Sequence, residues 1–427
     1  MSTMMGKTRR VSLFAAGAVM AVFATRVARA DMASDRPGAV LIAPKIVVDT
    51  SGRFGPKTDT EIQLTNTSNS VVGVRCFYVD ATSHCSNIRN RACTALNEAA
   101  TDPIQPTCAS TGGTCVPDTC SANDFRMTLT KRQPIAWKAS AGLNPFPCDG
   151  LNTFCPAGQS NKGLDGSLSS IPNVQEDPYF GELKCVEVDP TTFEPIQGLN
   201  PVNNFAGDLK AEVTIVSKGI EGAVDARKYN AIAFESTTNG QDSDPDTLTI
   251  GGPNAEYNGG PNLLLVNNFF DGATETTHQG GLTSTVNTDL TLVPVTENLA
   301  TDDISTLNPV TLQFLVFNEF EQRFSTSTSF SCWREIQLSD IDTRIGPVGN
   351  AQSIFSFDVE GTLSGQTRIR SVTGADTANT VVGITEEFWT APAGPNGISS
   401  DATNIHFAGT RDQADTITLH PDVTQDQ

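Results

Sequence analysis

The chain has 427 residues, with 48 acidic against 28 basic side chains and a formal net charge of −20. Acidity on this scale repels phosphate backbones and anionic lipid, which excludes nucleic acid as a partner and favours solubility or divalent cations. Gly, Pro, Asn, Ser and Thr are abundant and long helix-forming runs are absent, a composition that fits short strands joined by many turns.

Residues 1–30 read as a cleavable signal peptide. Lys7, Arg9 and Arg10 form a basic start, Val11–Thr25 an apolar stretch, and Ala28-Arg29-Ala30 a small-x-small cleavage pattern before Asp31. The apolar run is too short to span a bilayer, so no membrane insertion is expected after cleavage. Thr8–Leu13 resembles a twin-arginine export motif, but Ser12 stands where that motif prefers Phe. Ten cysteines also need an oxidising compartment to pair, so the general secretory route is the expectation. The destination is secreted, periplasmic or cell-surface. Cleavage removes Lys7, Arg9, Arg10, Arg26 and Arg29 and no acid, which makes the remainder more acidic still.

That remainder exceeds what one core usually fills. We expect a cysteine-rich β-sandwich domain over 31–240 and a Gly/Pro/Asn-rich junction over 241–262. A second β-rich domain, or a continuation of the same sandwich, covers 263–427. Val40–Val48 is the first strand. Thr60–Asn66 and Val71–Asp80 flank Thr67-Ser68-Asn69-Ser70, which reads as a hairpin. Strands follow at Asp124–Thr130, from Ile135, and at Tyr179–Val188, Leu209–Val216 and Tyr229–Ser236, with irregular stretches over 81–123 and 140–178. The junction carries Gly251-Gly252-Pro253-Asn254, echoed at Gly259-Gly260-Pro261-Asn262, which is turn chemistry. Beyond it, Leu263–Phe270, Asp289–Val295 and Val310–Phe317 are strand candidates. The longest alternation, 324–339, sets Phe324, Phe330, Cys332, Ile336 and Leu338 on one face. Ser325, Ser327, Ser329 and Ser331 stand on the other. Ser353–Leu363, Gln366–Val372 and Val381–Trp389 precede a polar tail.

The fold expected is all-β: one or two antiparallel β-sandwiches of immunoglobulin-like type, with long disulfide-stapled loops in the N-terminal half. The stretch from Thr60 to Asn69, followed by Val71–Val79, resembles the opening hairpin common in exported bacterial sandwich modules. That resemblance implies a sandwich and assigns no site residue.

Cys76, Cys85, Cys93, Cys108, Cys115, Cys120, Cys148, Cys155, Cys185 and Cys332 read as five disulfides. If all pair, Cys332 bonds one of the nine others and ties the C-terminal half to the N-terminal half. A zinc site is disfavoured, because no C-x-x-C pair and no histidine at ligand spacing is present.

Catalytic motifs are sparse. There is no G-x-S-x-G, and His84, His278, His406 and His420 are scattered. Asp340 and Asp342, read at a strand end, would project to one side about 7 Å apart, a separation that suits an inverting glycosidase. Glu319 and Glu321 share the spacing. Asp242, Asp244 and Asp246 place oxygens at alternate positions as calcium loops do, but Thr247 replaces the required Gly and Pro253 the bidentate Glu. No cofactor is expected beyond a calcium candidate. The leading expectation is a non-catalytic exported protein with a structural or binding role, meeting a protein or polysaccharide surface. The alternative is a secreted carbohydrate-active hydrolase using the carboxylate pair.

Overall fold

Alternating and β-branched segments form strands nearly where their patterns lie; the pairing of those strands is what the three-dimensional structure adds. The structure, a computed structural model, describes residues 32–87, 92–93, 108, 112–116, 120–143, 170–195, 207–219, 224–237, 244, 246–253, 255–276, 283–301, 304, 309–345, 351–372, 379–390 and 398–420. The expected signal peptide lies outside these residues, as do Cys148, Cys155, Asp242 and His278.

The largest sheet has six strands in the order Met32–Ala33, Ile232–Phe234, Val40–Val48, Tyr179–Val188, Val72–Asp80 and Ser121–Leu129. A four-stranded sheet of Val224–Asn230, Leu209–Lys218, Lys57–Asn66 and Pro134–Lys138 faces it across one core. Two five-stranded sheets share a second core in the C-terminal half. One runs Arg323–Phe330, Val310–Asn318, Ser364–Ser371, Pro261–Phe269, His406–Thr410. The other joins Ala273–Thr276, Thr283–Pro294, Val381–Thr390 and Ile398–Asn404, with Arg334–Gln337 also paired to Thr283–Pro294. A three-stranded sheet, Thr247–Ile250, Asp415–Thr418 and Glu297–Asn298, contains the one parallel pairing of named strands.

The all-β expectation therefore holds, with helix confined to the turns Leu338–Ile341 and Phe357–Glu360 among the described residues. The immunoglobulin-like sandwich does not. The strands are divided among five sheets of three or more strands rather than two. A sandwich sheet keeps one wet face, whereas every residue of Val40–Val48 and Val72–Asp80 is buried. Along Tyr179–Val188, Leu183 and Cys185 enter the first core, while Val186 and Val188 enter another that also holds Val293, Val295, Cys332 and Val382. The C-terminal half thus covers the outer face of the six-stranded sheet, and Asp31–Gln427 forms one compact unit.

The Thr67–Ser70 turn is not a hairpin loop. Lys57–Asn66 belongs to the four-stranded sheet and Val72–Asp80 to the six-stranded one, so the turn arches between sheets. The turn at Lys131–Pro134 does the same between Ser121–Leu129 and Pro134–Lys138. Fully buried Asn66 joins both arches: its Nδ2 donates to the Ser70 carbonyl at 2.7 Å and the Thr130 carbonyl at 3.0 Å. Its Oδ1 accepts from the Ser68 N–H and hydroxyl, each at 2.8 Å. One side chain supplies the bonds that two hairpins would have made along their ladders.

Two more expectations change. Ser353–Leu363 is not a strand; it holds the helical turn Phe357–Glu360, closed by Gly361 at φ +66°, where the Gly361 N–H donates to the Phe357 carbonyl. The polar tail contains three strands, each finishing a sheet through main-chain pairing.

Among the described residues four disulfides join Cys76–Cys185, Cys85–Cys108, Cys93–Cys115 and Cys120–Cys332, and the two cysteines left for the expected fifth lie outside them. Cys76 and Cys185 are opposed in register on neighbouring strands, with Cα atoms 4.0 Å apart. Cys120–Cys332 spans 212 positions and binds the two halves covalently.

Candidate functional site

The carboxylates singled out from the sequence do not converge. Asp340 lies within the helical turn Leu338–Ile341 and Asp342 immediately after it. At helical spacing, i and i+2 point to opposed sides rather than one, and Asp340 is exposed while Asp342 is buried. The same-side geometry assumed for a strand end is thereby corrected. Glu319 and Glu321 occupy the turn after Val310–Asn318, where Glu319 accepts from the Ser364 N–H at 3.0 Å and hydroxyl at 2.9 Å. Asp244 Oδ1 accepts the Asp246 N–H at 3.0 Å, an Asx turn leading into Thr247–Ile250. His84 meets Glu176 at 3.0 Å, and His406 lies on an edge strand. The serine face of Arg323–Phe330 is exposed on a sheet edge, with the Ser329 and Thr311 hydroxyls 2.9 Å apart.

A cavity of about 160 Å³ lies beside the five-stranded sheet that holds Pro261–Phe269. By liquid volume that is room for about five waters. Its floor is Leu264, Leu312, Ile369 and Val381, all members of the C-terminal core. Its polar walls are Asn262, Arg370, Ser371, Thr380, Arg411 and Gln413. Local folding fixes these walls. Pro261 pairs with Thr410, and the Arg411 N–H donates to the Gly260 carbonyl at 3.0 Å. Thr380 is held at both ends of its backbone: its N–H donates to Asp415 Oδ1 at 2.8 Å, and its carbonyl accepts from the Val295 N–H at 2.8 Å. Gly260 lets these segments close, since a Cβ there would sit 2.2 Å from Thr380 Cγ2.

Electrostatically the cavity is the reverse of the whole chain. Neither Arg370 nor Arg411 has a carboxylate partner among the described residues; Arg370 Nε donates to Gln313 at 2.8 Å and Arg411 Nη2 to Gln413. Arg411 is only 9% exposed. The Oγ1 of Thr380 and the Oγ of Ser371 are buried without a hydrogen-bond partner among the described residues. A buried guanidinium and two unsatisfied hydroxyls each carry an energetic penalty that an anionic, hydrogen-bonding occupant would relieve. Sequence reading missed this site because Arg411 falls in the segment taken for a polar tail. Arg370 reads as one more solvent-facing residue of an alternating strand.

No family model matches the chain, and no curated protein matches it in sequence. Among solved structures, the crystal structure of Thermotoga maritima 1070 is similar over 36% of this chain and 98% of that one, with 10% identity and a TM-score of 0.21. A likeness of that degree bears on neither fold nor function.

Proposed function

We propose that the chain is an exported, non-catalytic β-protein with a binding role at the cell surface or in the envelope, and that its arginine-lined cavity receives a carboxylate. The basic, apolar and small-residue order of 1–30 supports export, as do disulfides, which persist in oxidising compartments. No helix among the described residues is long and apolar enough to cross a membrane. The observation that carries the binding reading is Arg411, buried, without an ion-pair partner among the described residues, and in one cavity with two hydroxyls that have no hydrogen-bond partner there. Guanidinium and carboxylate match in geometry, and the hydroxyls add donors. An acidic sugar or an acidic side chain displayed by a surface partner fits the room available.

Calorimetry and thermal melting with acetate, galacturonate and an Asp-terminated peptide test this. At least one should raise the melting temperature, and Arg370→Ala should weaken it about tenfold, the loss of one charge-assisted bond. Arg370 is exposed, so its removal leaves the fold intact. Equal binding by Arg370→Ala and by an Arg411→Ala variant shown to be folded would refute the site. Turnover of a chromogenic glycoside, lost on Asp340→Asn, would replace binding with hydrolysis.

A further inference from the structure

We propose that Cys85, Cys93, Cys108 and Cys115 form a four-thiolate zinc site when their two disulfides are reduced. The Sγ atoms of Cys85, Cys93 and Cys108 all lie within 4.8 Å of one another, and Cys115 is bonded to Cys93. Zinc at about 2.3 Å from each of four tetrahedral sulfurs sets them about 3.8 Å apart, so the sulfurs of Cys85, Cys93 and Cys108 are already near ligand positions. Two disulfides packed in contact place three of their four sulfurs within reach of one ion, and the fourth, on Cys115, would join them by turning once its bond to Cys93 is reduced. Neither bond alone would do so.

Backbone hydrogen bonds, besides the disulfides, tie these cysteines to their neighbours. Cys85 and Cys115 are opposed across the two-stranded ladder of His84–Cys85 and Cys115–Val116. The Cys93 N–H donates to the Ser83 carbonyl at 2.8 Å, and Gly113 N–H to the Cys108 carbonyl at 2.8 Å. Cys85, Cys93 and Cys108 are 5%, 7% and 2% exposed, so three of the ligands would be shielded from water, and the half-buried Cys115 is where an oxidant would enter. A zinc ion with four thiolates carries two net negative charges. Arg53 stands beside that charge, its Nη2 donating to the Ala92 carbonyl at 3.0 Å, one residue from Cys93. A tetrahedral all-sulfur set selects zinc over magnesium or calcium. The spacing of these cysteines is not that of a zinc finger, which is why sequence reading assigns them to disulfides alone.

The chemistry balances with a dithiol or phosphine as reductant. Each disulfide takes two electrons and two protons, giving four thiols in all. Zinc then displaces four protons as four Zn–S bonds form. A disulfide-class oxidant reverses this, taking four electrons from the thiolates and releasing the ion. The site would hold the four cysteines together before oxidation and surrender its metal as the disulfides form.

The test uses the full chain, reduced with a phosphine, freed of reductant without air and mixed with zinc or cobalt. One ion per chain is expected, with the intense thiolate-to-metal bands of tetrahedral cobalt, and none on the oxidised chain. Alkylation followed by peptide mapping should find Cys85, Cys93, Cys108 and Cys115 protected by zinc, while Cys76, Cys120, Cys148, Cys155, Cys185 and Cys332 react. Replacing Cys85 with Ser should lower zinc affinity at least tenfold. No bound zinc, protection spread over the other six cysteines, or unchanged affinity in Cys85→Ser would each overturn the proposal.

Discussion

Lys45 and Lys184 sit on adjacent strands of the six-stranded sheet, are 3% and 0% exposed, and both reach into the C-terminal half. Their charge clusters differ. Lys184 meets Glu182 at 3.1 Å and Glu297 more closely, and both carboxylates are fully buried. One cation faces two acids there, and Glu182 Oε2 and Glu297 Oε1 have no hydrogen-bond partner. Burial, and then the neighbouring Glu297, push the Glu182 carboxyl well above the usual range, so the cluster reaches neutrality by keeping a proton. Lys45 pairs with Glu335 and Glu386, but here a second cation joins, with Arg227 Nε 2.7 Å from Glu386. Its outer acid, Glu335, is 27% exposed. One cluster is closed and short of a cation; the other sets two cations against two acids and has an outlet to water. Ion pairs seal the halves in both places, but only the first depends on a single side chain.

Removing that side chain should have the largest effect. Lys184→Met leaves two buried carboxylates without a cation, and should cost about 3–5 kcal/mol in chemical denaturation. A triple variant that also carries Glu182→Leu and Glu297→Leu should recover most of that loss. If Lys184→Met alone is near neutral, the cluster does not seal the halves.

The pH response comes next, and it separates the clusters. Asp289, beside the Lys45 cluster, is pushed up to about 7 by burial and then by Glu335, with Lys45 opposing. Its folded value lies above its unfolded one, so the folded state retains a proton that the unfolded chain releases. The stability from that proton is complete below about pH 4 and is lost as pH rises through about 7. Its full size is about 4 kcal/mol, fewer where water reaches the group. Asp289→Asn should flatten the stability profile between pH 4 and 8; a profile parallel to the parent would reject the assignment.

Neither cluster was legible in the sequence, for a physical reason. Lys184 stands in a strand whose alternation is that of a half-wet sheet, Glu182 and Lys184 on one side and Leu183 and Cys185 on the other. Period-2 patterning identifies two faces; whether a polar face meets water or another layer depends on distant residues such as Glu297, 113 positions from Lys184. Lys45 is aimed by an irregularity between Ala43 and Ile46, where the register with Tyr179–Val188 shifts. Strands were legible wherever hydrophobic pattern dictates them: Val40–Val48 and Tyr179–Val188 are the expected segments to the residue. Asp415–Thr418 and His406–Thr410 were not, since main-chain pairing with Thr247–Ile250 and Pro261–Phe269 completes them. The cavity inherits that blindness, because Arg411 lies between those two strands.

The smaller effects test the second cluster. Lys45→Met should cost about 2 kcal/mol, less than Lys184→Met, because Glu386 keeps Arg227 and Glu335 can turn to solvent. It should also move the Asp289 midpoint to higher pH, since the opposing cation is gone, and spectroscopic titration of that carboxyl reads the shift directly. Glu335→Gln should cost about 0.5–1 kcal/mol, the value of a partly exposed charge-assisted contact, and the difference should shrink in high salt. Because Glu335 also repels Asp289, the same change should lower the Asp289 midpoint while it weakens Lys45. Opposite midpoint shifts from Lys45→Met and Glu335→Gln, with losses in the same direction, are the signature of one coupled cluster. An unmoved midpoint in both variants would mean that Asp289 responds to burial alone.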